Sequence, residues 1–181
     1  MTLIGVLSDT HGRLDPRAYA ALVECDRIIH AGDICDLSIL RELQTIGPVD
    51  AVLGNNDIPG DYPSDVRRFA KPVIDGVRFL VAHYPNDVRI SFAGSSAVAP
   101  GDPIPHVCIH GHTHIPRLDW GRAAYPARYV LNPGSVTRPR GGFPASVGKI
   151  VVEEGRVLSV AIESLDGEVL FETGSAGSSA E

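Results

Sequence analysis

Polar clusters built from aspartate, asparagine and histidine recur along the chain between Asp9 and His114. Their candidate metal ligands are three oxygen-bearing side chains and four imidazoles, namely Asp9, His11, Asp33, Asn55, His83, His112 and His114. Oxygen and imidazole ligands favour Mn²⁺, Fe, Zn²⁺ or Ni²⁺, and they do not select among these ions. The set is too large for one ion. It predicts two divalent ions that share a bridging carboxylate and leave positions open for water and substrate.

The spacing within the clusters predicts how the ligands converge. Residues two apart on an extended segment point to the same side. Asp9 with His11, and His112 with His114, are therefore each expected to present two ligands to one place. A glycine beside a ligand lets the backbone turn sharply and approach an ion. Glycine precedes three of the candidate ligands, which are Asp33, Asn55 and His112.

Each cluster stands where a predicted strand ends. The strands predicted ahead of the clusters cover residues 2–7, 27–30, 49–53, 77–82 and 106–110. Helices are predicted after Asp15-Pro16 and after Asp36, because an aspartate carboxylate can cap a first helical turn. This alternation of strand and helix is typical of a parallel sheet. The carboxyl ends of the strands in such a sheet open onto one crevice, where ligands bind.

The later part of the chain predicts antiparallel hairpins. Asp75-Gly76 is a turn signal between the predicted strands 69–74 and 77–82, and Glu154-Gly155 is another between the runs 149–152 and 156–162. Residues 84–105 are rich in glycine, serine and proline, and a long loop with one helical turn is expected there. Residues 1–172 are predicted to form one domain. Residues 173–181, mostly glycine, serine and alanine, are predicted to be a disordered tail.

Length and composition exclude several classes of protein. The chain has 181 residues, of which 44% are hydrophobic and 21% charged, as in an ordinary globular domain. Its net charge of −6 argues against stable nucleic-acid binding, which needs a basic surface. Three cysteines without a CxxC spacing argue against a disulfide framework. With no signal-peptide pattern and no apolar stretch of roughly 18 residues, we expect a cytoplasmic protein without a membrane segment.

Several polar side chains also have a purely structural interpretation. Taken alone, Asp9 is compatible with a helix cap and His83 with a core histidine. Three histidines inside predicted strands are assigned to the core, namely His30, His106 and His110. Four later residues either support the site and its phosphate or form an ordinary turn and solvated loop, namely Asn132, Ser135, Arg138 and Arg140.

Taken in order, the clusters form a five-block pattern. The blocks are Asp9-x-His11, Gly32-Asp33, Gly54-Asn55-Asn56-Asp57, His83 and Gly111-His112-Thr113-His114. This pattern resembles the calcineurin-like metallophosphoesterase superfamily. The small size, the residues 8–12 and the residues 132–136 are similar to the small bacterial and archaeal phosphodiesterases of the YfcE type. The resemblance covers about residues 1–165, and it implies an α/β fold, a four-layer αββα sandwich of two mixed β-sheets flanked by helices.

The resemblance also implies roles for the ligands. One ion would be held by Asp9, His11 and His114. The other would be held by Asn55, His83 and His112. Asp33 would bridge the two ions.

Two positions depart from the family pattern. Asn56 stands where the superfamily usually has a histidine, the usual candidate proton donor to the leaving group. Tyr84 follows His83, where glycine is usual. A ring at this position either narrows the site or stacks on a substrate base, or it packs under the long loop.

These features together predict a phosphoesterase, most simply a phosphodiesterase, whose two ions supply a bridging hydroxide as the nucleophile. Asp33 and Asn55 would act through the ions they hold, and Asp57 would orient a ligand by hydrogen bonding. Manganese is the first choice of metal, with iron, zinc or nickel as alternatives. A small phosphate ester is the expected partner, and a homo-oligomer is compatible with the sequence. The competing hypotheses are a phosphomonoesterase or nucleotidase, and a non-catalytic scaffold like the retromer subunit Vps29.

Overall fold

Two mixed β-sheets face each other across an apolar layer in the computed structural model, which describes residues 1–90 and 97–173. The first sheet has the strand order β12-β11-β10-β1-β2-β3. Its strands are β1 (Thr2–Leu7), β2 (Arg27–His30), β3 (Val49–Ala51), β10 (Ser146–Glu153), β11 (Arg156–Ser164) and β12 (Val169–Glu172). The pairs β1–β2 and β2–β3 are parallel, whereas β10 is antiparallel to β1.

The second sheet has the order β4-β6-β7-β9-β8, and β5 pairs with β6. Its strands are β4 (Phe69–Ala70), β5 (Val73–Ile74), β6 (Val77–Ala82), β7 (Val107–Ile109), β8 (Arg117–Trp120) and β9 (Tyr129–Asn132). The neighbours β6–β7 and β7–β9 are parallel. Each sheet therefore contains three neighbouring parallel strands, which are β1, β2 and β3 at one side of the first sheet and β6, β7 and β9 in the middle of the second.

The helices cover the outer faces of the sheets. They are α1 (Pro16–Leu22), α2 (Leu37–Leu43) and the short α3 (Pro85–Val88), with 3₁₀ turns at Pro59–Asp61 and Gly121–Ala123. Among the described residues, none of the helices is long and apolar enough to cross a membrane. The side chains of Asp15 and Asp36 accept hydrogen bonds from the backbone N–H groups of Arg17 and Ser38, so both predicted helix caps are confirmed.

Three apolar clusters hold the layers together. The largest lies between the sheets and includes Ile4, Ile29, Phe79 and Ile109. A second cluster packs α1 and α2 against the outer face of the first sheet. A third covers the second sheet with α3 and the segment around Val98. The predicted αββα class is confirmed. In the described residues, the fourth layer, on the outer face of the second sheet, consists of the single helical turn α3 and loop segments.

The strand prediction was wrong in two places, where a proline interrupts a predicted strand and where a short strand lies at the edge of a sheet. The run 69–74, predicted as one strand, is two strands separated at Lys71-Pro72, because proline has no N–H for a ladder. No strand was predicted for β8, β9 or β12, which are four residues each, and β8 and β12 lie at sheet edges. The predicted loop 84–105 contains α3, and residues 91–96 within it lie outside the described ranges, as do residues 174–181 of the predicted tail.

Close packing of α1 on β1 depends on Gly5. A Cβ at this position would lie 2.6 Å from Leu22 Cδ2 and 3.0 Å from Cys25 Sγ. We expect Gly5→Ala to lower the free energy of unfolding by about 1–3 kcal/mol, as overpacking typically does. Gly60→Ala is the matched control, because no heavy atom lies within 4 Å of a Cβ at Gly60. Urea unfolding of the two variants measures the difference, and equal midpoints would contradict the packing explanation.

Candidate metal centre

The candidate ligands lie at the carboxyl ends of five strands, three neighbours in the first sheet and two neighbours in the second. Asp9 and His11 follow β1, Asp33 follows β2, and Asn55 comes after β3. In the second sheet, His83 follows β6, while His112 and His114 come after β7. Because the strands in each of these two groups are parallel, their ends bring all seven side chains to one crevice between the sheets.

The ligand loops are not extended, so the prediction about how the pairs converge is wrong. Asp9 and His11 have φ of 55° and 48°, and His112 and His114 have φ of 69° and 61°. This left-handed region costs an ordinary L-residue roughly 1–2 kcal/mol. Hydrogen bonds between successive loops hold it: the N–H of Asp9 donates to the Gly32 carbonyl, and the N–H of His11 donates to the Asp33 carbonyl.

Glycines make the crowding at the crevice possible. Gly32 has φ of 93°, and a Cβ there would lie 2.7 Å from His83 Nδ1. A Cβ at Gly54 would overlap the Asp33 carboxylate, and one at Gly111 would overlap the Ser8 side chain. These three glycines therefore leave room for neighbouring side chains, and the approach of their backbone to an ion stays a prediction.

One group of ligands converges on a carboxylate oxygen. The ligand atoms of Asp9, His11, Asp33 and His114 all lie within 4.8 Å of one another. His114 Nε2 is 3.2 Å from His11 Nε2 and 3.2 Å from Asp9 Oδ1. His114 Nδ1 donates to the Arg138 carbonyl at 2.7 Å, so its Nε2 directs a lone pair into the group when the ring is neutral.

The same group contains an orphaned acceptor. Asp9 Oδ1 is the one buried side-chain N or O atom of the described residues that has no hydrogen-bond partner. A buried carboxylate oxygen without a partner is costly unless a cation neutralises it. The donor set therefore fits a divalent metal ion.

A second group of ligands surrounds the amide oxygen of Asn55. His83 Nε2 lies 3.1 Å and His112 Nδ1 lies 3.0 Å from Asn55 Oδ1. His83 Nδ1 donates to the Ala31 carbonyl at 2.8 Å, which leaves a lone pair on Nε2 of the neutral ring. Acceptors that face one another in this way need a proton or a cation between them, so this group fits a second ion.

Asp33 lies between the two groups. Its Oδ2 is 3.7 Å from His11 Nε2, and its Oδ1 is 3.5 Å from His83 Nε2. Asn56 holds the carboxylate from the other side, because its backbone N–H donates to Oδ1 at 2.9 Å and its side-chain amide donates to Oδ2 at 2.7 Å. In the sequence, Asn56 was notable because it stands where the family pattern has a histidine. Its two hydrogen bonds to the Asp33 carboxylate were not predicted.

Electrostatics keeps the carboxylates charged. Burial alone would raise the pKa of Asp33, but the adjacent His83 imidazole and the hydrogen bonds from Asn56 outweigh it, and the pKa is held below its ordinary value. The adjacent Asp9 carboxylate is the largest influence on His114 and raises the pKa of its imidazole. Burial lowers the pKa of His11. The centre therefore combines fixed negative charge with imidazoles of differing basicity.

Asp57 joins two of the ligand loops. It is buried, and its carboxylate accepts from the N–H groups of Gly54 at 2.7 Å and Cys35 at 2.7 Å, and from Ile34 at 3.2 Å. The Tyr62 hydroxyl donates to it as well, at 2.9 Å. Asp57 thus orients the loops that carry Asp33 and Asn55, and it does so through the backbone. No sequence signal pointed to Tyr62.

The three histidines assigned to the core differ in position. His30 is buried, accepts from the Gly32 N–H at 3.2 Å, and faces the Thr10 hydroxyl at 3.0 Å. Burial lowers its pKa to about 4, so the ring is neutral and ties two ligand loops together. His110 is buried and donates to the Gly111 carbonyl, whereas His106 is half-buried and accepts from the Arg78 N–H.

Asn132 and Ser135 brace the ligand loops. The Asn132 amide donates to the Gly111 carbonyl at 3.1 Å and to the Thr113 hydroxyl at 2.8 Å. The Ser135 hydroxyl donates to the Asp9 carbonyl at 2.8 Å. Of the two interpretations left open by the sequence, the structure supports contact with the site.

Tyr84, Arg138 and Arg140 form the rim. The Tyr84 ring lies 4.7 Å from the His112 ring and 5.4 Å from the His83 ring, and 36% of the residue is exposed. Arg138 and Arg140 are exposed, and their backbone groups bond to His114.

Comparison with known proteins agrees with this geometry. A model of the calcineurin-like phosphoesterase superfamily domain matches residues 2–155. A probable metallophosphoesterase from Methanothermobacter thermautotrophicus is 32% identical over 178 residues, which is 93% of this chain and 91% of the relative. The probable metallophosphoesterase MJ0623 from Methanocaldococcus jannaschii is 34% identical over 161 residues, which is 84% of this chain and 77% of the relative.

Solved structures share the fold at lower identity. The phosphoesterase YfcE from E. coli has a TM-score of 0.70 at 21% identity, over 94% of this chain and 98% of its own. Vps29 from Cryptosporidium parvum has a TM-score of 0.69 at 17% identity, over 95% and 96%. Vps29 from Entamoeba histolytica, solved in complex with Zn²⁺, has a TM-score of 0.66 at 17% identity, over 94% and 98%. The family match and the archaeal relatives decide membership: the chain belongs to the calcineurin-like phosphoesterase superfamily.

Proposed function

We propose that the protein is a phosphodiesterase that uses two divalent transition-metal ions, with manganese as the first candidate. The observation that carries the proposal is the orphaned Asp9 Oδ1, which lies in the cluster of ligand atoms from Asp9, His11, Asp33 and His114. When bound, such ions supply a hydroxide near neutral pH and neutralise charge on the phosphoryl oxygens. The three unpaired cysteines fit a reducing compartment, and we place the reaction in the cytoplasm.

The ligand assignment follows the contacts. Asp9, His11 and His114 would hold one ion, because their ligand atoms cluster. Asn55, His83 and His112 would hold the other, because both imidazoles face the Asn55 amide oxygen. Asp33 would bridge, since its two oxygens face the two groups. Asp57 would keep the loops of Asp33 and Asn55 in place.

The serines beside the site are engaged in holding the backbone. The Ser8 hydroxyl donates to the Ala31 carbonyl at 3.2 Å. The Ser135 hydroxyl donates to the Asp9 carbonyl and accepts from the N–H groups of Thr137 and Arg138. Both serines are buried. These contacts favour direct attack by water-derived hydroxide over a side-chain nucleophile.

Arg138 and Arg140 are positioned to bind phosphate oxygens. Both follow the Ser135 turn and bond through their backbones to His114. Neither guanidinium has an ion-pair partner among the described carboxylates. A guanidinium presents a planar fork of donors that matches phosphate. We assign the pair to the substrate's phosphate.

A non-catalytic scaffold is the second candidate, because the fold is shared with Vps29. Retention of metal does not separate the two candidates, since a Vps29 has itself been solved with Zn²⁺. Turnover does. The assay therefore decides between a phosphodiesterase, a phosphomonoesterase or nucleotidase, and a scaffold.

We expect manganese-loaded protein to hydrolyse bis(4-nitrophenyl) phosphate with a higher kcat/KM than 4-nitrophenyl phosphate. His114→Ala should lose more than about 100-fold in kcat/KM, because even outer partners of metal ligands are typically worth 10–100-fold. His106→Ala is the matched control, because that imidazole lies outside both ligand groups. Preference for the monoester would favour a phosphomonoesterase, and no turnover of either ester by protein with both ions bound would favour the scaffold.

Metal stoichiometry tests the two-ion assignment. We expect elemental analysis of reconstituted protein to give about two ions per chain, and about one for His112→Ala, because each ligand group holds its own ion. Asp33→Asn should lower the affinity for both, since it removes the shared charge. His106→Ala serves again as the control. Saturation of the unmodified protein at one ion would refute the dinuclear assignment.

Leaving-group dependence tests the role of Asn56. Its amide is committed to Asp33 and is no proton donor, so general-acid assistance, typically worth 10²–10⁴-fold, is not expected from this residue. A plot of log kcat against leaving-group pKa for a series of diesters should therefore be steep and negative.

Asn56→His should flatten that plot, because an imidazolium can donate a proton. Asn56→Ala is the control, since it also loses the bond to Asp33 but gains no donor. If the unmodified protein cleaves alkyl and aryl diesters at similar rates while chemistry is rate-limiting, another residue protonates the leaving group and the assignment fails.

A further inference from the structure

We propose that Tyr84 is a stacking platform for a nucleobase, and that the substrates are phosphodiesters of nucleosides. This inference deepens the proposed function and rests on it. It concerns the part of the site that the metal chemistry leaves unexplained, namely an aromatic ring at the rim where the family pattern has glycine.

The Tyr84 ring lies directly beside one ligand group. Its centroid is 4.7 Å from that of His112 at an interplanar angle of 58°, and 5.4 Å from that of His83 at 70°. A ligand whose phosphate reaches the ions therefore has its neighbouring ester group next to this ring. Aromatic side chains bind bases of any identity by stacking, because every base has a π-face.

The backbone of Tyr84 is held in place and its side chain is accessible. Tyr84 has an extended backbone, with φ of −85° and ψ of 138°, a conformation that the following Pro85 favours. The Tyr84 carbonyl accepts from the Asp87 N–H at 3.1 Å, and Arg68 forms an ion pair with the Asp87 carboxylate at 3.0 Å. With 36% of the residue exposed, Tyr84 offers a surface that is open to a ligand.

A cavity lies beside the residues that follow Tyr84, and Tyr84 itself does not line it. This cavity of about 450 Å³ on the outer side of the second sheet is lined by Pro85 and Asn86, which follow Tyr84, and by Thr113, which separates His112 from His114. Ligand pockets of this kind typically span 300–1,000 Å³. Asn86 adds an exposed amide group to the wall that can pair with the edge of a base.

Charge is distributed unequally across the site. Arg138 and Arg140 flank His114, in the ligand group away from Tyr84. One end of the site is thus cationic and the other aromatic. A nucleotide has the matching asymmetry, with its phosphate at one end and its base at the other.

Calorimetric binding of AMP and ribose 5-phosphate to the manganese-loaded protein tests the proposal, because the two ligands share the sugar phosphate and differ by the base. We expect AMP to bind about tenfold or more tightly, as stacking on one aromatic side chain allows. Tyr84→Leu should remove most of that preference. Tyr84→Phe, which keeps the ring, should retain it.

A second measurement does not depend on the folding of a variant. In unmodified protein labelled with 3-fluorotyrosine, the Tyr84 resonance, assigned from the spectrum of Tyr84→Phe, should shift on addition of AMP and stay in place with ribose 5-phosphate. Equal affinities of the two ligands, or equal weakening of both by Tyr84→Leu, would overturn the platform. Base-dependent binding without any ester hydrolysis would uphold the platform and refute the phosphodiesterase, whereas diester hydrolysis without base preference would do the reverse.

Discussion

Side-chain nitrogen and oxygen atoms of the candidate ligands lie within a few ångströms of one another, and the rest of the structure holds these side chains in place. His11 and His114 approach Nε2 to Nε2 at 3.2 Å, and Asn55 Oδ1 lies 3.1 Å from His83 Nε2. Such groups repel unless positive charge lies between them. The short distances between these atoms therefore suit the binding of cations. The surrounding contacts have to keep the side chains from moving apart.

That resistance comes mainly from the backbone. Left-handed residues at Asp9, Asp33 and His112 turn each loop back on its neighbour. Asp57 and Asn132 then fasten the loops by accepting and donating hydrogen bonds at backbone groups. Strained residues persist only where the surrounding contacts over-determine them, and this crevice has such contacts on every loop.

Apolar runs and turn residues were sufficient to predict several parallel strands and which polar side chains meet at their ends. The bounds of Thr2–Leu7, Arg27–His30 and Val77–Ala82 were predicted, because each contains consecutive apolar residues and leads into a polar cluster. The four-residue strands β8 and β12 could not be predicted from the sequence, because edge strands need no apolar periodicity. Convergence of the ligands was predicted, but their left-handed backbone was not, because it arises from hydrogen bonds between loops that are distant in sequence.

The ligand groups draw on both sheets, and this has a consequence for the lifetime of the protein. His11 and His114 are 103 positions apart and belong to loops of different sheets. An unfolded chain would have to close that long loop before it could present both imidazoles, which is entropically costly. A cation held by the pair therefore binds the native state alone and stabilises it by mass action. The supply of metal would then govern how long the protein survives proteolysis, and scarcity would remove the protein itself as well as its activity.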